Sequence, residues 1–246
     1  MRDIRRIAVA NQKGGTAKTT TAWAIITGAR IRGLRTLGID FDPQGSLTFL
    51  MNPNPPVELQ KTLTDALSGR CDLMDAVQRT PYGDLVPATM GISTLADVHA
   101  LDKLLQPIWR GYDLIVIDSP PTLGKPLLAA ILAAREIIIP LQADPLSIQG
   151  LYQMRGCLDQ LGAPARVSGC FLSRYSDRST ISREMARALR ERCAQLGFPY
   201  LDRPIREGVA IREAQLMCQD IFTYAPRSKQ AADYAALLDA LHIVKT

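Results

Sequence analysis

The sequence has no run of 18 apolar residues, no Cys-x-x-Cys pair, no internal repeat and no low-complexity tract. Without the long apolar run, a transmembrane helix is not expected. Met1-Arg2-Asp3 leads straight into a strand-like segment. No secretory hydrophobic region precedes it, so a cytoplasmic (bacterial) protein is expected. The five cysteines (71, 157, 170, 193 and 218) are odd in number and widely spaced. They read as reduced thiols rather than a disulfide framework. At 246 residues and 47% apolar content the chain can bury a sizeable core. That length admits one α/β domain or two small ones.

What is present is alternation. Strand-like segments fall near 4–10, 35–40, 113–118, 136–140, 166–172 and 200–205. Helix-like segments fall near 18–32, 95–108, 124–134, 146–161, 179–196, 208–217 and 228–242. Alternation at this spacing implies parallel strands with crossover helices, an α/β doubly wound sheet. The Pro-rich stretch at 52–56 is expected to be a surface loop before a short helix at 62–67. A single domain over 1–246 is expected.

Between the first strand and the first helix lies Lys13-Gly14-Gly15-Thr16-Ala17-Lys18-Thr19-Thr20. A strand-to-helix junction is an anion site, because free N–H groups and the helix dipole favour negative charge. Gly14 and Gly15 let the backbone approach a phosphate where a Cβ would obstruct. Lys18 is expected to reach the β- and γ-phosphates, and the Thr19 hydroxyl to ligate Mg²⁺. The general phosphate-loop pattern fails at both of its glycines, where this chain has Gln12 and Ala17. The deviant form Lys-Gly-Gly-x-x-Lys-Thr matches at every fixed position.

A nucleoside triphosphatase also needs a metal-side carboxylate and a group that places water. Asp42 lies just past the carboxyl end of the second strand, where ligands bind in open α/β sheets. Asp118 ends the apolar strand Tyr112-Asp113-Leu114-Ile115-Val116-Ile117-Asp118. Acids at strand ends are also common turn formers; the three pieces in this order carry the argument.

At these residues the chain resembles the ParA/MinD family of deviant Walker A ATPases, most closely its Soj-type ParA partition proteins. The match runs through residues 11–20, 40–48 and 112–124, with a weaker match at 224–234. Asp42-Pro43-Gln44-Gly45 favours ParA over MinD. The resemblance implies ATP and Mg²⁺ as ligands and slow, dimer-dependent hydrolysis. It gives Lys13 the place of the lysine that reaches across an ATP-sandwich homodimer to the partner's phosphates. Arginine fingers, which act in trans in the same way, are worth about 10³–10⁵ in rate. Asp42 takes the place of the aspartate that positions water and Asp118 that of the Walker B residue, with Thr19, Asp118 and Asp42 on the metal side. Lys13, Gly14, Gly15, Thr16, Ala17, Lys18, Thr19 and Thr20 form the nucleotide loop, and Pro226 and Arg227 border the adenine. Ala17 departs from the family's usual Gly. The cysteine pattern argues against the iron–sulfur relative, nitrogenase iron protein.

Net charge is +5. Residues 166–229 hold twelve cations, eleven of them Arg, against seven acids, an excess equal to that of the whole chain. Arg183, Arg187 and Arg190 fall on one helix face. Such clusters suit phosphate backbones, giving salt-dependent, sequence-independent affinity; they also suit a solvated face balanced by Glu184 and Glu191. The resemblance implies nonspecific double-stranded DNA binding, with Arg183, Arg187, Arg206 and Arg212 as the candidate contacts. It also implies a ParB-like adaptor that stimulates hydrolysis. No helix-turn-helix precedes the first strand, so operator-specific repression is not expected. Other readings are a ParA-like positioner of a non-DNA cargo, a MinD-like membrane-cycling regulator, or a metabolic phosphate-loop kinase. The last sixteen residues carry two acids and one lysine. They lack the basic amphipathic face of a membrane anchor.

Overall fold

The computed structural model describes residues 4–53, 61–88, 91, 95, 97–162 and 165–244. Seven strands form one sheet: β1 (Arg5–Val9), β2 (Thr36–Asp40), β3 (Gln78–Thr80), β4 (Gly83–Val86), β5 (Leu114–Asp118), β6 (Glu136–Leu141) and β7 (Arg166–Leu172). Their order is β3-β4-β2-β5-β1-β6-β7. All neighbouring pairs are parallel except β3 with β4. The expected doubly wound sheet is present.

The central strand β5 reads Leu-Ile-Val-Ile-Asp and is buried throughout, as parallel strands covered on both faces are. Its side chains alternate between layers. Leu114 and Val116 join the layer of α1 (Lys18–Ile31) and α10 (Lys229–Ala240). Ile115 and Ile117 join that of α3 (Leu63–Leu67), α4 (Ala100–Leu105) and α5 (Lys125–Ala134). A third cluster packs β6 and β7 against α6 (Pro145–Leu161) and α7 (Thr180–Gln195).

Helix α1, which begins at the phosphate loop, is held in place by α10. At their crossing Gly28 lets the two helices approach closely: a Cβ there would stand 2.3 Å from Leu238 Cδ1, which would have to shift. Tyr234, Leu237 and Leu238 are buried in this contact. The apolar stripe of the last helix is therefore spent on the core. Among the described residues no helix is long and apolar enough to cross a membrane.

Three differences from the sequence expectations have local causes. Residues 200–205 are not a strand. A single bridge joins Tyr200 to Cys170 of β7, and another joins Arg206 to Tyr175 past the end of that strand; Pro204 between them has no N–H to donate. The β3–β4 hairpin was not foreseen, since Gln78-Arg79-Thr80 has no apolar alternation; β4 becomes a strand by pairing with β2. The helix expected over 95–108 spans only Ala100–Leu105, after a turn in which Asp97 accepts from His99 N at 2.9 Å. Short helices α2 (Ser46–Met51) and α9 (Ile221–Tyr224) were also not foreseen, whereas α8 (Val209–Leu216) was. Residues 54–56 of the expected Pro-rich loop lie outside the described residues, as does part of 89–96.

Candidate nucleotide and metal site

β1, β2 and β5 lie side by side, and their carboxyl ends carry the site. In register, Asp118 neighbours Val9 on one side and Asp40 on the other. The loop from β1 to α1 contains two left-handed residues, Gly15 (φ 74°) and Ala17 (φ 66°). Such alternation turns successive N–H groups toward one side, making an anion-binding concavity. Ala17 is the N-cap of α1 and offers no side-chain cap, so the first-turn donors of this 14-residue helix have no side-chain acceptor there. A Cβ built at Gly14 or Gly15 meets no atom within 4 Å. The loop surface is open to a phosphate group.

The loop is braced from four directions. Asn11 Nδ2 donates to Pro140 O (2.7 Å) and Asn11 Oδ1 accepts from Lys13 N (3.0 Å). Gln142 Nε2 donates to Gly15 O (2.9 Å), Ser173 Oγ to Thr16 O (2.9 Å) and Gln215 Nε2 to Thr20 Oγ1 (2.8 Å). None of these braces is in the motif itself.

The two lysines have different surroundings. Lys18 is buried, and its ammonium donates to Lys13 O at 3.1 Å. Burial pushes its pKa down, while the charges of Asp118 and Asp42 pull it up. Lys13 is partly exposed and ion-paired with Asp144, the N-cap of α6.

The acids separate into three roles by their partners. Asp40 is fully buried and accepts from Thr48 N (2.7 Å), Thr48 Oγ1 (2.7 Å) and Asp42 N (3.2 Å). Burial pushes its pKa up to about 6. Asp42 accepts from Gln44 N at 3.0 Å. Asp118 is buried with no hydrogen bond on either carboxylate oxygen. Burial, and then the charge of Asp40, push its pKa well above the usual carboxylate range. The Thr19 hydroxyl is near enough to favour its charged form. Neither carboxylate oxygen meets hydrogen-bond geometry with it, so Thr19 is a neighbour of Asp118 and not a donor to it. An orphaned buried carboxylate beside a hydroxyl and below a phosphate loop fits a hard divalent cation.

A cleft of about 900 Å³ opens from this loop. One wall is Gly15, Ala17, Thr19 and Thr20, another Gln44, Ser46 and Phe49, and the outer wall Arg174, residues 205–208 and α8. Pro226 and Arg227 sit in the turn between α9 and α10 and are not among the lining residues. Residues 205–207, flanked by Pro204 and Gly208, carry no motif signal. The Asp-Pro-x-Ser spelling at 144–147 signals a helix cap, but not the contact with Lys13.

The four arginines proposed for DNA divide between two places. Arg183 donates to Asp177 O (2.6 Å) and Thr180 Oγ1 (3.1 Å) at the start of α7, and Arg187 pairs with Glu191 one turn on. Arg206 and Arg212 line the cleft. Arg206 is held by Asp233 at both its backbone N (3.0 Å) and Nε (2.9 Å).

A family model described as an AAA domain matches residues 4–165. The chromosome-partitioning ATPase Soj of Thermus thermophilus is 31% identical over 242 residues, covering 96% of this chain and 94% of Soj. Cobyrinic acid a,c-diamide synthase of Mycobacterium smegmatis, solved with bound ADP and magnesium, is 30% identical with a TM-score of 0.82, covering 98% of this chain and 94% of that one. The cell division ATPase MinD of Pyrococcus furiosus is 25% identical with a TM-score of 0.82, covering 97% and 98%. The chain belongs to the ParA/MinD family of P-loop ATPases.

Proposed function

We infer that this chain is a ParA-like positioning ATPase of DNA partition. Mg·ATP binding joins two copies in a sandwich that holds nonspecific DNA, and a ParB-like adaptor triggers slow hydrolysis and release. The observation that carries this reading is the pair of lysines at one phosphate loop. Lys18 is buried near the carboxylates of its own chain, whereas Lys13 is partly exposed and paired with Asp144.

The residues divide the work as follows. The N–H groups of residues 14–19 and the Lys18 ammonium hold the phosphates. Thr19 and Asp118, with Asp42 close by, would hold Mg²⁺, which neutralises phosphate charge when bound. Asp42, tethered through Asp40 and Gln44, orients the attacking water. Lys13 leaves Asp144 to meet the phosphates of the second copy. Residues 205–208 of the outer wall, rather than Pro226 and Arg227, face the base. On the DNA side, Arg183 and Arg187 face solvent on α7, while Asp233 already neutralises Arg206. A nucleoid-associated cytoplasmic protein follows from this reading.

The test is DNA binding with ATP, ADP and no nucleotide, in the parent chain and in Lys13→Ala, Lys18→Ala and Asp42→Ala. ATP-dependent DNA binding is expected in the parent and in Asp42→Ala, which binds ATP without turnover, and is lost in both lysine variants. Normal turnover in Asp42→Ala, or DNA binding indifferent to nucleotide, would refute the reading. Arg183→Ala/Arg187→Ala is expected to lower DNA affinity and flatten its salt dependence while sparing ATP binding.

A further inference from the structure

Thr48, on α2, carries none of the roles assigned above. Its hydroxyl makes two hydrogen bonds at once: it donates to Asp40 Oδ2 at 2.7 Å and accepts from Ala88 N at 3.0 Å. Its backbone N donates to the same Asp40 oxygen at 2.7 Å. The other oxygen of Asp40 accepts from Asp42 N at 3.2 Å. One buried carboxylate thus closes the loop from β2 to α2 at both ends, with Asp42 at one end and Thr48 at the other. A threonine hydroxyl has one proton to donate and lone pairs to accept with, and here both functions are in use.

The bonds join three parts of the fold. Asp40 ends β2, Thr48 lies on α2, and Ala88 follows β4, whose Val86 pairs with Ile39 of β2. Pro87, beside Ala88, accepts from Leu63 N of α3 at 3.0 Å, so the backbone there is anchored from its other side. The start of the loop is fixed to the sheet by Phe41 N, which donates to Asp118 O at 2.9 Å. Inside the loop, Gly45 N donates to Asp42 O (2.9 Å) and Gln44 N to Asp42 Oδ1 (3.0 Å). These two bonds give the turn its shape but do not fix its far end to the sheet. Thr48 does that. Groups that act on a reacting atom must be held to within about 0.5 Å, and a misplacement of about 1 Å costs roughly 10²-fold in rate.

We propose that Thr48 is a positioning residue for hydrolysis: its hydroxyl clasps Asp40 to the backbone beyond β4 and so sets where Asp42 stands relative to the phosphate loop. The inference rests on the ATPase reading above. Thr48 is not among the residues lining the cleft, so it acts through Asp40 and Asp42 and not on the nucleotide. Its loss therefore falls on turnover and spares binding.

The experiment measures Mg·ATP affinity by calorimetry and the single-turnover hydrolysis rate in the parent chain, Thr48→Val and Thr48→Ser. Valine keeps the shape of threonine and lacks the hydroxyl. In Thr48→Val the hydrolysis rate is expected to fall roughly tenfold or more, with ATP affinity nearly unchanged. Serine keeps the hydroxyl and is expected to restore the rate. Thr48→Ala, which cannot overpack, is expected to show the same split and replaces Thr48→Val if that variant does not fold. An unchanged rate without the hydroxyl, a parallel loss of ATP affinity, or no recovery by serine would overturn the proposal. A parent chain that hydrolyses no ATP would overturn the ATPase reading and this inference with it. Normal parent turnover with an unaffected Thr48→Val would overturn this inference alone.

Discussion

Lys13 and Asp144 are ion-paired within one chain, across 131 residues of sequence. The same carboxylate caps α6 by accepting from Ser147 N at 3.1 Å. The lysine assigned to the second copy is thus held at home by a helix cap, one carboxylate oxygen serving Lys13 and the other Ser147. Asp144→Ser keeps a capping oxygen and removes the charge. With ATP this variant is expected to dimerise at lower protein concentration than the parent, with the unfolding temperature of the apo form nearly unchanged. Light scattering across a dilution series measures it. A weaker ATP-dependent dimer would mean that Asp144 supports the assembly instead of restraining Lys13.

Ala17 occupies a left-handed position, which costs a residue with a Cβ about 1–2 kcal/mol. Glycine removes that strain but adds roughly 0.4–1 kcal/mol of unfolded-state entropy. Ala17→Gly is expected to gain roughly 0–1.6 kcal/mol of stability, and to retain or tighten ATP binding. Denaturant melts and nucleotide titration check both; clear weakening of ATP binding would contradict the assignment.

Burial raises the Asp40 pKa from 3.8 to about 6. Between those values the folded chain holds a proton that the unfolded chain releases. The stabilisation from this group is complete below pH 3.8 and is lost as pH rises through 6, about 3 kcal/mol in all. Asp40→Asn lacks this loss. Without nucleotide or Mg²⁺, the stability of the variant relative to the parent is expected to rise across that interval. Chemical denaturation at a series of pH values reads the difference, and a constant difference would refute it.

The α1–α10 crossing gives a prediction about stability. Gly28→Val places atoms where Leu238 Cδ1 already sits. Overpacking of this kind costs about 1–3 kcal/mol. A matching fall in the denaturation midpoint is expected, and an unchanged midpoint would mean that α10 moves aside freely.

The parts of this protein that sequence determines are those whose chemistry is local. β1, β2, β5, β6 and β7 are short apolar runs between turn residues, and α1, α5, α6, α7 and α10 have local start and stop signals. The lysines and glycines of the phosphate loop are legible because their spacing along the chain is itself the binding geometry. Asp42 and Asp118 are legible because strand ends in a parallel sheet share one edge. The β3–β4 hairpin was not, since Gln78-Arg79-Thr80 becomes a strand only through its neighbour. The segment 200–205 looks strand-like by its apolar residues, but Pro204 breaks the ladder.

Only the tertiary structure decided what the site residues face. It put Asp144 against Lys13, buried both oxygens of Asp118 without a partner, surrounded Asp40 with donors, and set Glu207 beside Arg174. The physical reason is separation along the chain. A left-handed turn, a desolvated carboxylate and an ion pair between distant residues arise only when packing brings remote segments together, and no local pattern encodes the partner.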